Sequence, residues 1–177
     1  MLAFKLFRKD KQGRLHPLYI GAKDVIPMNQ VLQAKCGPTV FDGDRCKVRS
    51  KLGLLALRPG WHCTELPYAG HIGKKQPNGE LYQDPDTVWC EVEVLGNDIT
   101  EQVHEFAPNH KWLTAVPNGY YWCQTNSRAK VRWLIARQIK VCRELTQTQV
   151  DLMCRLCGIE PQPVADKRSY RGGKQHD

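Results

Sequence analysis

The chain has 177 residues, a net charge of +8 and eight cysteines. That length supports one domain with its own core and is short for two. No run approaches the roughly 18 to 20 apolar residues that span a bilayer, and the opening MLAFKLFRKDKQG lacks the long apolar stretch of a secretory leader. A cytoplasmic protein with no membrane segment is expected.

In chain order, AFKLFRKDKQGRLHPLYIGA (3–22) reads as two strands around the polar turn KDKQG. VIPMNQVLQAKCGPT (25–39) has a proline placed to open a short helix and stops at Gly37-Pro38. FDGD (41–44) reads as loop, and RCKVRSKLGLLALRPG (45–60) as a basic, alternating strand with an apolar finish. DTVWCEVEVLG (86–96) is the clearest strand: Val88, Cys90, Val92 and Val94 point one way, Trp89, Glu91 and Glu93 the other. NGYYWCQTN (118–126) follows a Pro-Asn-Gly turn as an aromatic strand, and RWLIARQIKVCREL (132–145) supplies one or two more.

LTQTQVDLMCRLCGIEP then carries a capping box, Thr146 with Gln149, and stop signals at Gly158 and Pro161. Val150, Met153, Cys154 and Cys157 share one helix face, which reads as buried apolar thiols; a zinc knuckle would need a second ligand pair at suitable spacing. The other cysteines are scattered, as in a chain with reduced thiols. The expected architecture is a single α+β domain over 1–158, mainly an antiparallel or mixed, possibly split, β-sheet with few helices and a capped C-terminal helix. Residues 159–177 read as a flexible basic tail.

Charge is unevenly distributed. Lysine and arginine outnumber acids 12 to 4 over residues 1–60 and 11 to 5 over 121–177, while acids lead 9 to 3 between. Intramolecular pairing explains that pattern, and so does a basic surface for an anionic partner, nucleotide or nucleic acid.

The stretch LRPGWHCTELPYAGHIG (57–73) concentrates polar chemistry, prolines and glycines between strands. His62, His71 and Glu91 are the candidate catalytic residues: two imidazoles to exchange protons and a carboxylate to stabilise developing positive charge. Arg58, Trp61, Tyr121 and Asn126 are the candidate substrate-binding residues, a guanidinium for phosphates, aromatic faces for a base and an amide. A metal-dependent hydrolase using His62, His71 and a glutamate is a further reading, without HExxH or a comparably spaced ligand set.

Taken in order, SKLG (50–53), RPGWH (58–62), HIG (71–73), VWCEVEV (88–94), NGYYWCQTN (118–126) and WLIARQIKV (133–141) resemble a family of proteins carried by phages, prophages and other mobile elements. That resemblance implies a bacterial host cytoplasm and action on or against a host nucleotide or nucleic-acid process. A non-catalytic inhibitor of anti-defence or anti-CRISPR type, binding a host protein–nucleic-acid complex, is the alternative to an enzyme. A second resemblance, from LYIG (18–21) through PYA, VWCEVEV and WLIARQIKVCREL, is to ADP-ribosyltransferase-like domains, and implies NAD as cofactor. The first-strand histidine of that family is Ile20 here, and its late glutamate meets Arg132 and Trp133, so His16, His62 or Glu91 would have to substitute.

Overall fold

The computed structural model describes residues 1–50, 53–97, 115–123 and 130–166. Strand β1 (Leu2–Lys9) turns into the short β2 (Leu15–His16), which confirms the opening hairpin. Residues 25–39, where a short helix was expected, instead give β3 (Val31–Gln33). Asn29 adopts φ 59°, which breaks any helix there, and β3 pairs with a late strand through residues 138–140. A helix of one turn would gain one hydrogen bond for its nucleation cost, whereas the ladder satisfies several groups at once.

β4 (Thr39–Asp42), β5 (Arg45–Ser50) and β6 (Gly53–Ala56) form a separate three-stranded sheet. FDGD is therefore a hairpin rather than a loop. Asp42 pairs with Arg45, so Gly43 and Asp44 make a two-residue turn, with Gly43 at φ 58°. β7 (Trp61–Thr64) follows, then a small hairpin of β8 (Lys74–Lys75) and β9 (Leu81–Tyr82), then the long β10 (Thr87–Leu95). β11 (Tyr120–Cys123), β12 (Trp133–Ala136) and β13 (Gln138–Glu144) complete the strands. The chain is thus an α+β protein, mostly antiparallel sheet. The helix α1 (Gln147–Leu156) carries the expected capping box, with Thr146 and Gln149 satisfying each other's backbone N–H.

The main sheet has the order β11-β12-β7-β1-β10-β13-β3, with β2 beside β1. It is strongly curled. The Trp61 indole on β7 donates to the Leu32 carbonyl on β3 at 3.1 Å, although four strand spacings separate them in the sheet order. In a flat sheet that is about 19 Å, far beyond an indole's reach. Curling brings Ala3, Phe7, Cys63, Cys90, Val92, Val94, Leu134, Ala136, Ile139 and Val141 into one apolar cluster on the concave side. The opposite face buries Phe4, Leu6 and Trp89 under Val150 and Cys154 of α1 and under Ala69, Leu66 and Tyr68. Sheets buried on both faces need such two-sided strands, and LAFKLF supplies them.

Two sequence expectations change at the C-terminal end. Cys154 is buried, but Cys157 is exposed. It is the helix C-cap, and Gly158 at φ 70° turns the chain there, so the i, i+7 spacing no longer holds it on the helix face. Residues 159–166, placed by sequence in the tail, pack onto the domain. Ile159 and Ala165 are buried, Gln83 N–H donates to Pro163 O and Ala165 N–H to Gln83 O, and the Gln162 amide donates to Ile72 O and Leu81 O at 2.8 and 2.9 Å. No helix of the described residues is long and apolar enough to cross a membrane.

Ending the chain after Gly158 should therefore lower the melting temperature by about 5 °C or more, through lost apolar burial and hydrogen bonds. A chain ending at Asp166 keeps these contacts. Thermal unfolding followed by circular dichroism compares the two, and equal melting temperatures would contradict the packing role of 159–166.

Candidate functional site

The centre of the 57–73 stretch is strand, not loop. β7 lies between β1 and β12 in the main sheet, with Thr64 opposite both Phe4 and Trp133, and His62 opposite Ile135. Gly60 makes this possible. Its φ is 142°, and a β-carbon there would run into Cγ2 of Ile135. Along β7 the side chains alternate, so Trp61 turns to the concave core and His62 to the other face.

His62 has little access to solvent. Its Nε2 lies 2.7 Å from the Arg58 carbonyl, an acceptor, so Nε2 carries the hydrogen and donates. Burial pushes its pKa down to about 4; the bond to Arg58 O works the other way, and the charges of Lys5 and Arg58 add to the lowering. The ring is neutral at physiological pH. His71 lies at the surface with its ring 4.7 Å from that of Trp133, tilted by 36°, and its pKa is lowered by partial burial against the indole. His62 meets the same indole edge-on, with ring centroids 6.1 Å apart. The two histidines thus bracket Trp133, a residue that sequence reasoning did not select.

The other candidates lie elsewhere. Glu91 follows a register that runs from Trp133 to Thr64, Phe4 and Glu91 on successive strands. That is three strand spacings, about 14 Å. Its carboxylate accepts from Arg143 at 2.9 Å, which orients it along the sheet. Tyr121 is buried beside Cys123 and Ile135, where no ligand ring can stack on it, and Trp61 is committed to the Leu32 carbonyl. Arg58 contributes its backbone carbonyl to His62. Asn126 lies outside the described residues. LYIG, the first strand of the ADP-ribosyltransferase comparison, falls in the turn at 17–24.

Lys5 is a half-buried cation that the sequence reading passed over. On β1 it shares a face with Ala3 and Phe7, inside the concave core. Its ammonium donates to the His62 carbonyl at 2.8 Å and sits 5.5 and 5.4 Å from the ring centres of Phe7 and Trp61. Burial lowers its pKa, and the neighbouring Cys63 and Cys90 oppose that. Burial raises both thiols, Cys63 to about 11 and Cys90 to about 12, so neither is a thiolate nucleophile at neutral pH. The parity of LAFKLF was the signal available for Lys5.

Charge pairing explains much of the segmental pattern. Glu65 binds Arg132, Glu91 binds Arg143 and Glu93 binds Lys140, each joining the acidic middle to the basic end of the chain. On the three-stranded sheet, Lys47 pairs with Asp42 at 2.5 Å, while Arg49 is exposed and makes no ion pair among the described residues. No group of three or more histidine, cysteine, aspartate or glutamate side chains suited to a metal occurs among the described residues. No protein-family model, curated protein or solved structure matches the chain.

The half-buried His62 makes stability depend on pH. The unfolded chain takes up the proton near the ordinary value of 6.5 and the folded chain only near 4. The contribution of the neutral ring is therefore complete above pH 6.5, shrinks as pH falls, and is gone by about pH 4. It is worth at most about 3 kcal/mol. Urea unfolding of the parent and of His62→Gln, which retains an amide donor for Arg58 O, should diverge over that window. Parallel pH profiles would show that His62 is not held neutral.

Proposed function

We propose that the chain is a mobile-element-encoded protein that acts against a host nucleic-acid process by binding, with nucleic acid as the partner of its basic three-stranded sheet. The observation that carries this reading is where charge remains unmatched. Among the cations of the last third of the chain, Arg132, Lys140 and Arg143 pair with Glu65, Glu93 and Glu91, and among those of the first third Lys9, Arg14 and Lys47 pair with Glu144, Asp10 and Asp42. Those of the first third outnumber its acids 12 to 4, and Lys23, Lys35 and Arg49 stand exposed without an ion pair among the described residues.

The three-stranded sheet has the shape for such contact. Val48 is buried and packs toward Ile20 and Gly37, which seats one face on the body. Lys47, Arg49 and Leu54 belong to the other face. Phe41, 80% exposed, stands on the same face as Val48 but at the β4–β5 tip, beyond that packing. An aromatic ring in solvent on the same small sheet as the unpaired Arg49 suits stacking of an unpaired base with electrostatic tracking of its backbone. Because Phe41 and Arg49 lie on opposite faces, a flexible single strand passing over the tip reaches both, whereas a stiff duplex does not.

The enzyme reading draws on the same charge, but its proposed carboxylate, Glu91, lies two strands from His62 and three from Trp133, and Tyr121 has no exposed ring face. Binding without turnover needs neither.

Fluorescence anisotropy with a labelled single-stranded oligonucleotide tests the proposal. Affinity should fall steeply as salt rises from about 50 to 200 mM, as expected for counterion release. Lys35→Glu with Arg49→Glu should weaken binding at least tenfold, and Phe41→Ala should remove about 1 to 3 kcal/mol of stacking. Absence of binding at low salt, or binding indifferent to these substitutions, would overturn it.

A further inference from the structure

Two buried side-chain nitrogens have no hydrogen-bond partner, Nε of Arg8 and Nδ1 of His16. They belong to residues directly opposite each other on β1 and β2. Side chains so placed project to the same side of the sheet, with β-carbons about 5 Å apart. His16 is 6% exposed, so its free nitrogen is deep in the protein.

Asp10 determines the state of the imidazole. Its Oδ2 lies 3.0 Å from His16 Nε2 and accepts from Arg14 Nε at 2.8 Å, while its Oδ1 accepts from the backbone N–H groups of Gln12 and Arg14. Burial of this carboxyl works to raise its pKa, but the bonds from His16 and Arg14 hold it well below the usual carboxylate range, so it remains an acceptor. His16 Nε2 therefore carries hydrogen and donates. In the imidazolium form both ring nitrogens donate, and only one has a partner.

Arg8 has the complementary deficit. Its Nη2 donates to the Ala22 carbonyl at 2.6 Å, its Nε is unsatisfied, and it makes no ion pair among the described residues. Asp10 already accepts four hydrogen bonds and does not serve it. An unsatisfied buried donor costs about 1 to 3 kcal/mol, and a partly buried cation without a counter-ion costs more. A single water could meet both nitrogens but would leave the guanidinium charge uncompensated; an anion meets both needs.

We propose that Arg8 and His16, with Asp10 fixing the imidazole, form a binding site for a small oxyanion, a phosphate or carboxylate group. One oxygen accepts from Arg8 Nε–H and from the Nδ1–H of the imidazolium, and Asp10 balances the histidine's charge. Neither nitrogen meets solvent in the closed arrangement. The turn at 17–24 is tied to β1 by the Arg8–Ala22 bond and carries Gly21 at φ 64°, and this turn must lift to admit the anion. The site uses none of the residues of the three-stranded sheet, so it stands or falls independently of nucleic-acid binding there.

The test is nitrogen-15 NMR of the histidine rings with inorganic phosphate or sodium acetate added in separate titrations, chloride holding ionic strength constant. The expected result is a saturable shift of His16 Nδ1 with at least one of the two anions, and which one responds identifies the group. The shift should vanish in Arg8→Gln. Arg8→Lys, which keeps the charge but lacks Nε, should weaken the response at least tenfold and serves if Arg8→Gln does not fold. A His16 signal indifferent to both anions, or a response unchanged in the Arg8 variants, would overturn the proposal.

Discussion

The contact on which the rest of the structure depends is the hydrogen bond from the Trp61 indole to the Leu32 carbonyl. It joins strands that lie four positions apart in the sheet, and only a curled sheet permits it. Curling divides the strands into a concave side closed over its own side chains and a convex side that must be covered by something else. The covering comes from α1, from the 65–73 segment, and from Ile159 beyond the helix, which packs in the same cluster. Alternation along β7 then decides the rest locally. With Trp61 turned inward, His62 faces the covered side and is half-buried there beside Trp133.

The same curl explains Lys5. Lys5 on the concave face is half-buried, and its ammonium takes the His62 carbonyl between β1 and β7. The two strands share one paired position, Phe4 with Thr64, so they diverge where the amine enters. The aromatic rings of Phe7 and Trp61 surround the charge with the negative faces of their π systems, which partly offsets lost hydration. Trp61 thereby closes the sheet and also lies against the Lys5 ammonium, so its substitution changes both contacts at once.

How far the sequence revealed this depended on whether a feature was local. β10 was legible because valine and cysteine alternate with glutamate over its length, and α1 because Thr146 and Gln149 close a capping box by themselves. The hairpin at 42–45 was legible in principle, since Gly-Asp before a basic alternating strand is a two-residue turn signal, but it was read as loop. β3 was not legible: its three residues become a strand because β13 offers a partner about a hundred positions later. The candidate site residues are dispersed for the same reason. His62, Tyr121 and Glu91 have the right chemistry, and whether a group is exposed depends on what folds over it. The convergence of His62 and His71 on Trp133 requires β7, β12 and the 65–73 segment to assemble first.

Charge shows how the same composition supports opposite conclusions until the strands are paired. An excess of acids in the middle and of bases at the ends suggests two basic surfaces, yet β10 and β13 are neighbours, and their charged side chains meet across the ladder. The C-terminal cations are then part of the sheet's own exposed face, each worth little to stability because the pairs remain partly solvated. Among the N-terminal cations, Lys9 on β1 still finds Glu144, but those of β5 have no acidic strand beside them. β5 lies between β4 and β6, and Asp42 is the one acid in those two neighbouring strands. A strand order that placed β5 next to β10 would have set its cations against Glu91 and Glu93, so the separation of the small sheet from the large one is what leaves Arg49 without an acidic neighbour across the ladder.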